Sequence, residues 1–142
     1  MNAPNQQSVL LSGRHRVLVV EDDSDIRLSI VTLLRDEGYL VEDAADGRSA
    51  LRRIRASRDP LVVLLDLNMP GMDGQALLQA IADDGISARH AFILVTAHDQ
   101  RTLPLNLALL LTQLRVAVVA KPFDIAILLS AVAAATARLP TN

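Results

Sequence analysis

Side chains capable of chemistry stand directly after four of the short apolar runs in this sequence. One acidic residue after a strand usually begins a turn or caps a helix, so each position by itself has a structural explanation. Chance placement of caps does not predict carboxylates, a hydroxyl and an ammonium group after successive runs. We therefore treat these residues as one candidate site: Glu21, Asp22, Asp66, Asn68, Thr96 and Lys121.

The carboxylates of this set favour a divalent cation. If Glu21, Asp22 and Asp66 lie close together, their like charges either raise a pKa or recruit a cation. Mg²⁺ prefers a few carboxylate oxygens and also accepts the oxygens of a phosphoryl group. Asp66 follows the apolar pair Leu64-Leu65, so its carboxylate would leave a buried strand at a fixed position, as a nucleophile requires. Lys121 would then neutralise phosphoryl oxygens and Thr96 would donate a hydrogen bond, which predicts an aspartyl phosphate at Asp66.

The elements that must position these residues form a repeating pattern. Short apolar runs alternate with stretches of helical spacing, such as Ile26, Ile30 and Leu33. Nearly continuous apolar strands indicate a sheet covered on both faces, and the alternation predicts parallel strands joined by right-handed crossovers. The fold class is therefore α/β and doubly wound, and the carboxyl ends of its strands meet at one edge. Its predicted strands are Val17–Val20, Tyr39–Val41, Leu61–Leu65, Phe92–Val95 and Val116–Val119.

Composition excludes several other classes. The 142 residues suffice for one ordinary domain, and the absence of cysteine excludes disulfides and thiolate metal sites. A net charge of −2 and an aromatic content of 2% disfavour direct binding of nucleic acid. The sequence contains neither a signal peptide nor an apolar run long enough for a membrane span. We expect a cytoplasmic protein with a flexible polar tail over residues 1–15, one domain over residues 16–138 and no output domain.

Four separated motifs resemble the receiver domain of bacterial two-component response regulators. They are Val19-Val20-Glu21-Asp22-Asp23, the run from Leu64 to Gly74, Val95-Thr96-Ala97 and Lys121-Pro122-Phe123. The resemblance covers about residues 16 to 138 and is specific, because the motifs occur in the family's order on the expected strands. It implies a flavodoxin-like fold of five strand-helix units and a stand-alone, single-domain response regulator. Such a protein takes a phosphoryl group from a sensor histidine kinase or histidine phosphotransfer protein, with Mg²⁺ required.

The resemblance also implies roles for individual residues. Asp66 is the phosphoacceptor, and Thr96 and Lys121 are its catalytic partners. Asp22 is the more direct metal ligand, Glu21 acts through water, and the backbone carbonyl of Asn68 completes the metal site. Asp23 lies one place beyond the acidic pair and is interpreted as a helix cap. The Lys121-Pro122 bond is expected to be cis, as is typical of the family.

Two departures from the family's pattern concern its output face. Val118 occupies the position of the usual tyrosine or phenylalanine, and a stiff β-branched valine has no ring to rotate. Pro104 and the run Leu107 to Leu111 lie in an unusual fourth helical segment, so helix four is expected to be displaced, shortened or reshaped. One helical stripe cannot hide all of that run, which favours exposed residues that contact a partner. Extra core packing is an equally good explanation. We expect a downstream protein target and a possible homodimer through helix four, strand five and helix five.

Two other functions remain open from the residues. An enzyme of the haloacid-dehalogenase type also forms an aspartyl phosphate, but it needs a second acid two residues after the nucleophile, where this chain has Asn68. The chain is therefore expected to be a phosphoacceptor rather than an enzyme. A receiver-like binding module that acts without phosphorylation is the main alternative, because of Val118. His98, two residues after Thr96, is interpreted as an ordinary loop histidine that could instead tune hydrolysis of the phosphate.

Overall fold

A five-stranded parallel sheet forms the centre of the protein, in a computed structural model that describes residues 15–140. The predicted tail falls almost entirely outside the described residues. Spatially the strands follow the order β2-β1-β3-β4-β5, so β3 lies in the middle and β2 and β5 at the edges. The strands are β1 (Arg16–Val20), β2 (Leu40–Ala44), β3 (Leu61–Asp66), β4 (Ala91–Thr96) and β5 (Ala117–Ala120).

Five α-helices cover the two faces of the sheet. Short 3₁₀ turns at Ser87–Arg89 and Gln100–Thr102 flank β4. The order of strands and helices confirms the predicted doubly wound α/β fold. The helices are α1 (Ser24–Asp36), α2 (Gly47–Ala56), α3 (Gly74–Asp84), α4 (Leu105–Gln113) and α5 (Ile125–Ala137).

Alternation along the strands divides the apolar side chains into two cores. Leu18 and Val20 pack with α2, α3 and α4 on one face, whereas Val17 and Val19 pack with α1 and α5 on the other. Every residue of β3 and β4 is buried, as expected for central strands of a sheet covered on both sides. The two cores hold the central strands, and hence their carboxyl ends, in fixed positions.

Aspartates cap the amino-terminal ends of four of the five α-helices. Asp23, Asp46, Asp73 and Asp124 each accept a hydrogen bond from a backbone N–H in the first turn of the following helix. These caps satisfy donors that the helix itself leaves unpaired. The hydrogen bonds of Asp23 confirm the prediction that this residue caps α1.

The fourth helical segment departs from the pattern of the others. α4 has nine residues, the fewest of the five, and begins only after Pro104; that it is displaced, shortened or reshaped relative to the family stays a prediction. Leu107, Leu110 and Leu111 are buried, while Leu109 is 60% exposed. Most of the leucine run therefore packs into the core and some of it faces solvent, while contact of the exposed residues with a partner stays a prediction. None of the helices formed by residues 15–140 is long and apolar enough to cross a membrane.

Candidate functional site

The sheet brings the carboxylates of the first and third strands side by side. Val20 pairs with Leu65 in the parallel register of β1 and β3, so Glu21 and Asp66 come next on adjacent strands. Glu21, Asp22 and Asp66 each offer an oxygen within 4.8 Å of the others. This confirms that the predicted carboxylates converge at the carboxyl edge of the sheet.

The three carboxylates differ in burial. Glu21 is 4% exposed and Asp66 9%, whereas Asp22 is exposed. Burial is the main reason that the pKa of Glu21 is raised, and the charge of Asp66 adds to it. The hydrogen bond from the Asp23 backbone N–H to Glu21 Oε2, at 3.1 Å, acts in the opposite direction on that pKa. Because clustered carboxylate oxygens are hard ligands, this group fits a cation such as Mg²⁺.

Lys121 supplies the positive charge of the pocket. Its Nζ donates to Asp66 Oδ2 at 2.9 Å and lies 3.9 Å from Glu21 Oε1. Burial would lower the pKa of Lys121, but the hydrogen bond and charge of Asp66 outweigh it, and the pKa is raised. The backbone N–H of Lys121 also donates to the carbonyl of Thr96 at 2.8 Å, which fixes the end of β5 against β4. The Lys121-Pro122 bond is cis, as expected.

A close backbone contact fixes the loop after Asp66. The backbone N–H of Asn68 donates to Asp66 Oδ1 at 3.1 Å, so both oxygens of Asp66 have a donor. Gly74 N–H donates to the Leu67 carbonyl at 2.9 Å. A Cβ at Gly74 would lie 2.6 Å from the carbonyl oxygen of Asp66, which is too close for any side chain. Glycine at the start of α3 therefore allows the loop to fold back onto the strand that ends at Asp66.

Thr96 and His98 form a local pair at the end of β4. Thr96 is 1% exposed, and its Oγ1 accepts a hydrogen bond from the backbone N–H of His98 at 3.0 Å. The Nδ1 atom of His98 lies 3.3 Å from the same oxygen. The ring of His98 is thus in contact with the hydroxyl of the predicted site, although the residue is exposed.

Arg27 stabilises the loop after β1 that carries Glu21 and Asp22, a role that was not predicted from the sequence. Its Nη1 donates to the Glu21 carbonyl at 2.7 Å, and its Nε donates to Asp43 Oδ2 at 3.1 Å. Arg27 thereby connects the loop after β1 to the end of β2. A single arginine in the first turns of a helix gives no signal of this role, because its partners are set by the packing of β2 beside β1.

Val118 lies in the half-buried part of the edge strand β5, opposite Leu94. Its side chain lines an open groove of about 430 Å³ between α4, β5 and the carboxyl end of α5. The position that was compared with the family's usual tyrosine or phenylalanine therefore carries a small side chain at the wall of a groove.

A doubly wound sheet with an acidic cluster and a lysine at its carboxyl edge defines a receiver-type fold and site. The family model for the response regulator receiver domain matches residues 17–133, and the chain belongs to this family. Among solved structures, the receiver domain of a putative Luxo repressor protein from Vibrio parahaemolyticus is similar, with 30% identity and a TM-score of 0.75 over 89% of this chain and 92% of that one. The chemotaxis protein CheY4 of Vibrio cholerae has 28% identity and a TM-score of 0.72, over 87% of this chain and 99% of that one.

Similarity to a curated relative covers only part of each chain. The transcriptional regulatory protein PrrA of Mycobacterium leprae is 46% identical over 66 residues, which is 46% of this chain and 28% of PrrA. The match therefore covers less than a third of that relative. Family membership is shown for the receiver domain, while the roles of Asp66, Thr96, Lys121 and the Asn68 carbonyl stay predictions.

Proposed function

We propose that this protein is a response regulator that accepts a phosphoryl group on Asp66 from a sensor histidine kinase or a histidine phosphotransfer protein. The contact between Lys121 Nζ and Asp66 Oδ2, beside Glu21 and Asp22, is the observation that carries this proposal. A carboxylate that already faces an ammonium group and a cation-binding cluster has its charge balanced as an anionic donor approaches.

In the proposed step, a carboxylate oxygen of Asp66 forms a bond to phosphorus. The phosphorus–nitrogen bond of the donor phosphohistidine breaks, and its electron pair stays on the imidazole nitrogen, which takes up a proton. Lys121 moves its hydrogen bonds onto the phosphoryl oxygens, and the hydroxyl of Thr96 donates to one of them. Mg²⁺, held by Glu21, Asp22, Asp66 and the Asn68 carbonyl, would neutralise negative charge on the transferred group.

An apolar groove beside the pocket supports a protein as the phosphoryl donor. The groove has a volume of about 380 Å³ and lies between α1 and α5, where Ile26, Phe123 and Ile125 line it. Ile26 and Phe123 also line the small cavity next to Asp66 and Lys121. A donor seated in this groove would therefore hold its phosphohistidine close to Asp66.

Intact mass measurement after incubation with Mg²⁺ and acetyl phosphate or phosphoramidate tests the proposal. We expect the mass of one phosphoryl group to be added, and Asp66→Asn to abolish it. Asp83→Asn, which removes an exposed carboxylate from α3, is the matched control and should leave the gain intact. Failure of the wild-type protein to gain mass with either donor would refute phosphorylation.

Output through protein contacts, with phosphorelay as one form of it, completes the proposal. The chain acts as a phosphoacceptor rather than as an enzyme on other molecules, and it contacts neither DNA nor membrane directly. The homodimer, the cytoplasmic location and the lack of an output domain stay predictions. Val118 favours the second candidate function, a receiver-like binding module that acts without phosphorylation, and the mass measurement separates the two.

A further inference from the structure

One arginine bonds to the backbone of the acidic pair that follows β1. Arg27 Nη1 donates to the carbonyl of Glu21 at 2.7 Å and lies 3.5 Å from the carbonyl oxygen of Asp22. The first contact is a strong, charge-assisted hydrogen bond, and the second is at the outer limit of one. The Arg27 side chain is 20% exposed, so protein surrounds most of it. The guanidinium therefore fixes the peptide unit that joins Glu21 to Asp22.

The two carboxylates of this loop differ in what holds them in place. Glu21 is buried, and its Oε2 accepts a hydrogen bond from the Asp23 backbone N–H at 3.1 Å. The backbone N–H of Glu21 donates to the Ala44 carbonyl at 3.1 Å, which attaches Glu21 to the end of β2. Asp22 is exposed, so the direction of its carboxylate depends on the backbone that carries it. Because Arg27 bonds to that backbone, the position of the Asp22 carboxylate depends on Arg27.

The charge of Arg27 is balanced by Asp43, near the end of β2. Asp43 Oδ2 accepts a hydrogen bond from Arg27 Nε at 3.1 Å. Without this partner, the guanidinium would repel a cation held by the neighbouring carboxylates, since like charges that lie close together raise each other's energy. The neutral pair lets Arg27 hold the loop while opposing the cation much less.

A second ion pair on the same strand offers a comparison. Glu42, next to Asp43 in β2, binds Arg53 at 3.0 Å. The two acidic side chains are similarly exposed, at 51% and 50%. Arg53 belongs to α2, which packs on the opposite face of the sheet from α1. Among residues 15–140 no hydrogen bond of Arg53 reaches the acidic loop, so this pair has the same chemistry without the contact to the site.

We propose that Arg27 is a positioning residue for the cation of the phosphorylation site and that Asp43 tunes the affinity for this cation. Arg27 fixes the backbone so that the Asp22 carboxylate stays beside Asp66, and Asp43 neutralises the guanidinium. In these roles neither residue contacts the cation. The inference rests on the Mg²⁺ part of the proposed function, but its test uses no phosphoryl donor, so the inference and phosphorylation can fail independently.

Titration of the ¹⁵N-labelled protein with magnesium chloride, followed by amide NMR shifts, measures the affinity for Mg²⁺ alone. Arg27→Gln should raise the Kd for Mg²⁺ about tenfold, because Asp22 loses its fixed position. Charge alone predicts the opposite sign, since the variant leaves Asp43 unneutralised near the cation. Arg27→Lys should weaken binding similarly, because one ammonium group cannot bond to the Glu21 carbonyl and to Asp43 as the planar guanidinium does.

Asp43→Asn tests the tuning role. It removes the counter-charge but keeps the shape of the side chain, and it should raise the Kd for Mg²⁺ about threefold at low salt. This increase should shrink as potassium chloride is added, because salt screens exposed charges, whereas the effect of Arg27→Gln should persist. A purely structural role of the pair would not make the two variants differ in salt dependence. Arg53→Gln and Glu42→Gln are the matched controls and should leave the Kd unchanged.

Several results would overturn the proposal. An unchanged or lower Kd in Arg27→Gln would refute the positioning role, and an unchanged Kd in Asp43→Asn would refute the tuning role. An equal increase in Arg53→Gln would assign the effect to surface charge in general and refute both. If urea unfolding shows that Arg27→Gln does not fold, Arg27→Lys and Asp43→Asn decide by the same criteria. Absence of Mg²⁺-dependent shifts in the wild type would refute the cation site itself and this inference with it, whereas wild-type shifts with unchanged variants would refute the inference alone.

Discussion

Acidification should destabilise the protein through His90, at the amino-terminal start of β4. His90 is 7% exposed, and its Nδ1 accepts a hydrogen bond from the Leu61 backbone N–H at 3.0 Å. An accepting Nδ1 has no proton, so the neutral ring carries its proton on Nε2, which is buried without a partner among residues 15–140. Burial, with a smaller effect of Arg89, lowers the pKa of His90 from 6.5 to about 4.

The sign and size of the effect follow from this depressed pKa. Between pH 6.5 and about 4, the unfolded chain binds a proton at His90 and the folded protein does not, so acid favours unfolding. The contribution is fully present above pH 6.5 and falls by about 1.4 kcal/mol per pH unit below it. At pH 5 the loss in free energy of unfolding reaches about 2 kcal/mol, and near pH 4 it approaches its limit of about 3 kcal/mol.

Urea unfolding of the wild type and His90→Asn, from pH 7.5 to 4.5 without Mg²⁺, measures this loss. Asparagine retains an acceptor for the Leu61 N–H but does not titrate, so the difference between the two pH profiles isolates His90 from the carboxylates that both proteins share. His15→Asn, at an exposed position, is the control and should follow the wild type. Parallel profiles for wild type and His90→Asn would refute the reasoning.

Three substitutions in the pocket give further predictions. Glu21→Gln removes a buried carboxylate with a raised pKa, so it should raise the melting temperature measured without Mg²⁺. It should also reduce the further increase in melting temperature that added Mg²⁺ produces. An unchanged Mg²⁺ response would contradict the role of Glu21 as a ligand. Gly74→Ala places a Cβ 2.6 Å from the Asp66 carbonyl oxygen, so urea unfolding should show a free energy of unfolding lower by about 1–3 kcal/mol. Mass measurement should show slower phosphorylation. Wild-type values in both assays would contradict the close approach. Lys121→Ala should retain some phosphorylation by mass but lose the amide shifts that phosphorylation causes in wild type, and a full set of shifts would contradict its role.

The central strands could be predicted because both of their faces are buried, so nearly all of their residues are apolar. β1 and β3 are almost wholly apolar and buried on both faces, so composition alone identifies them. The edge strands were less well predicted. β2 extends to Ala44 through the exposed residues Glu42 and Asp43, whereas the prediction ended at Val41. β5 begins one residue later than expected and extends to Ala120. An edge strand takes its hydrogen bonds from one neighbour and tolerates polar residues, so hydrophobicity does not define its limits.

The charged centre of the site was predictable for a topological reason. Parallel strands place whatever follows them at one edge, so Glu21, Asp22, Asp66 and Lys121 had to lie near one another once the fold class was known. The contacts of Arg27 and His98 could not be predicted from the topology. Both depend on how a loop turns after its strand, and the sequence carries no periodic signal for that turn.

The connection between the pocket and the groove lined by Val118 runs through the backbone of β4 and β5. Thr96 pairs with Ala120, and its carbonyl accepts from the Lys121 N–H at 2.8 Å. Two residues earlier, Val118 lines the groove. A valine has no ring that could swing between the two sites, so an effect of phosphorylation that reaches the groove through β5 requires the four-residue strand itself to shift. Among residues 15–140, β5 is an edge strand that pairs with β4, so such a shift breaks backbone hydrogen bonds on one side of the strand.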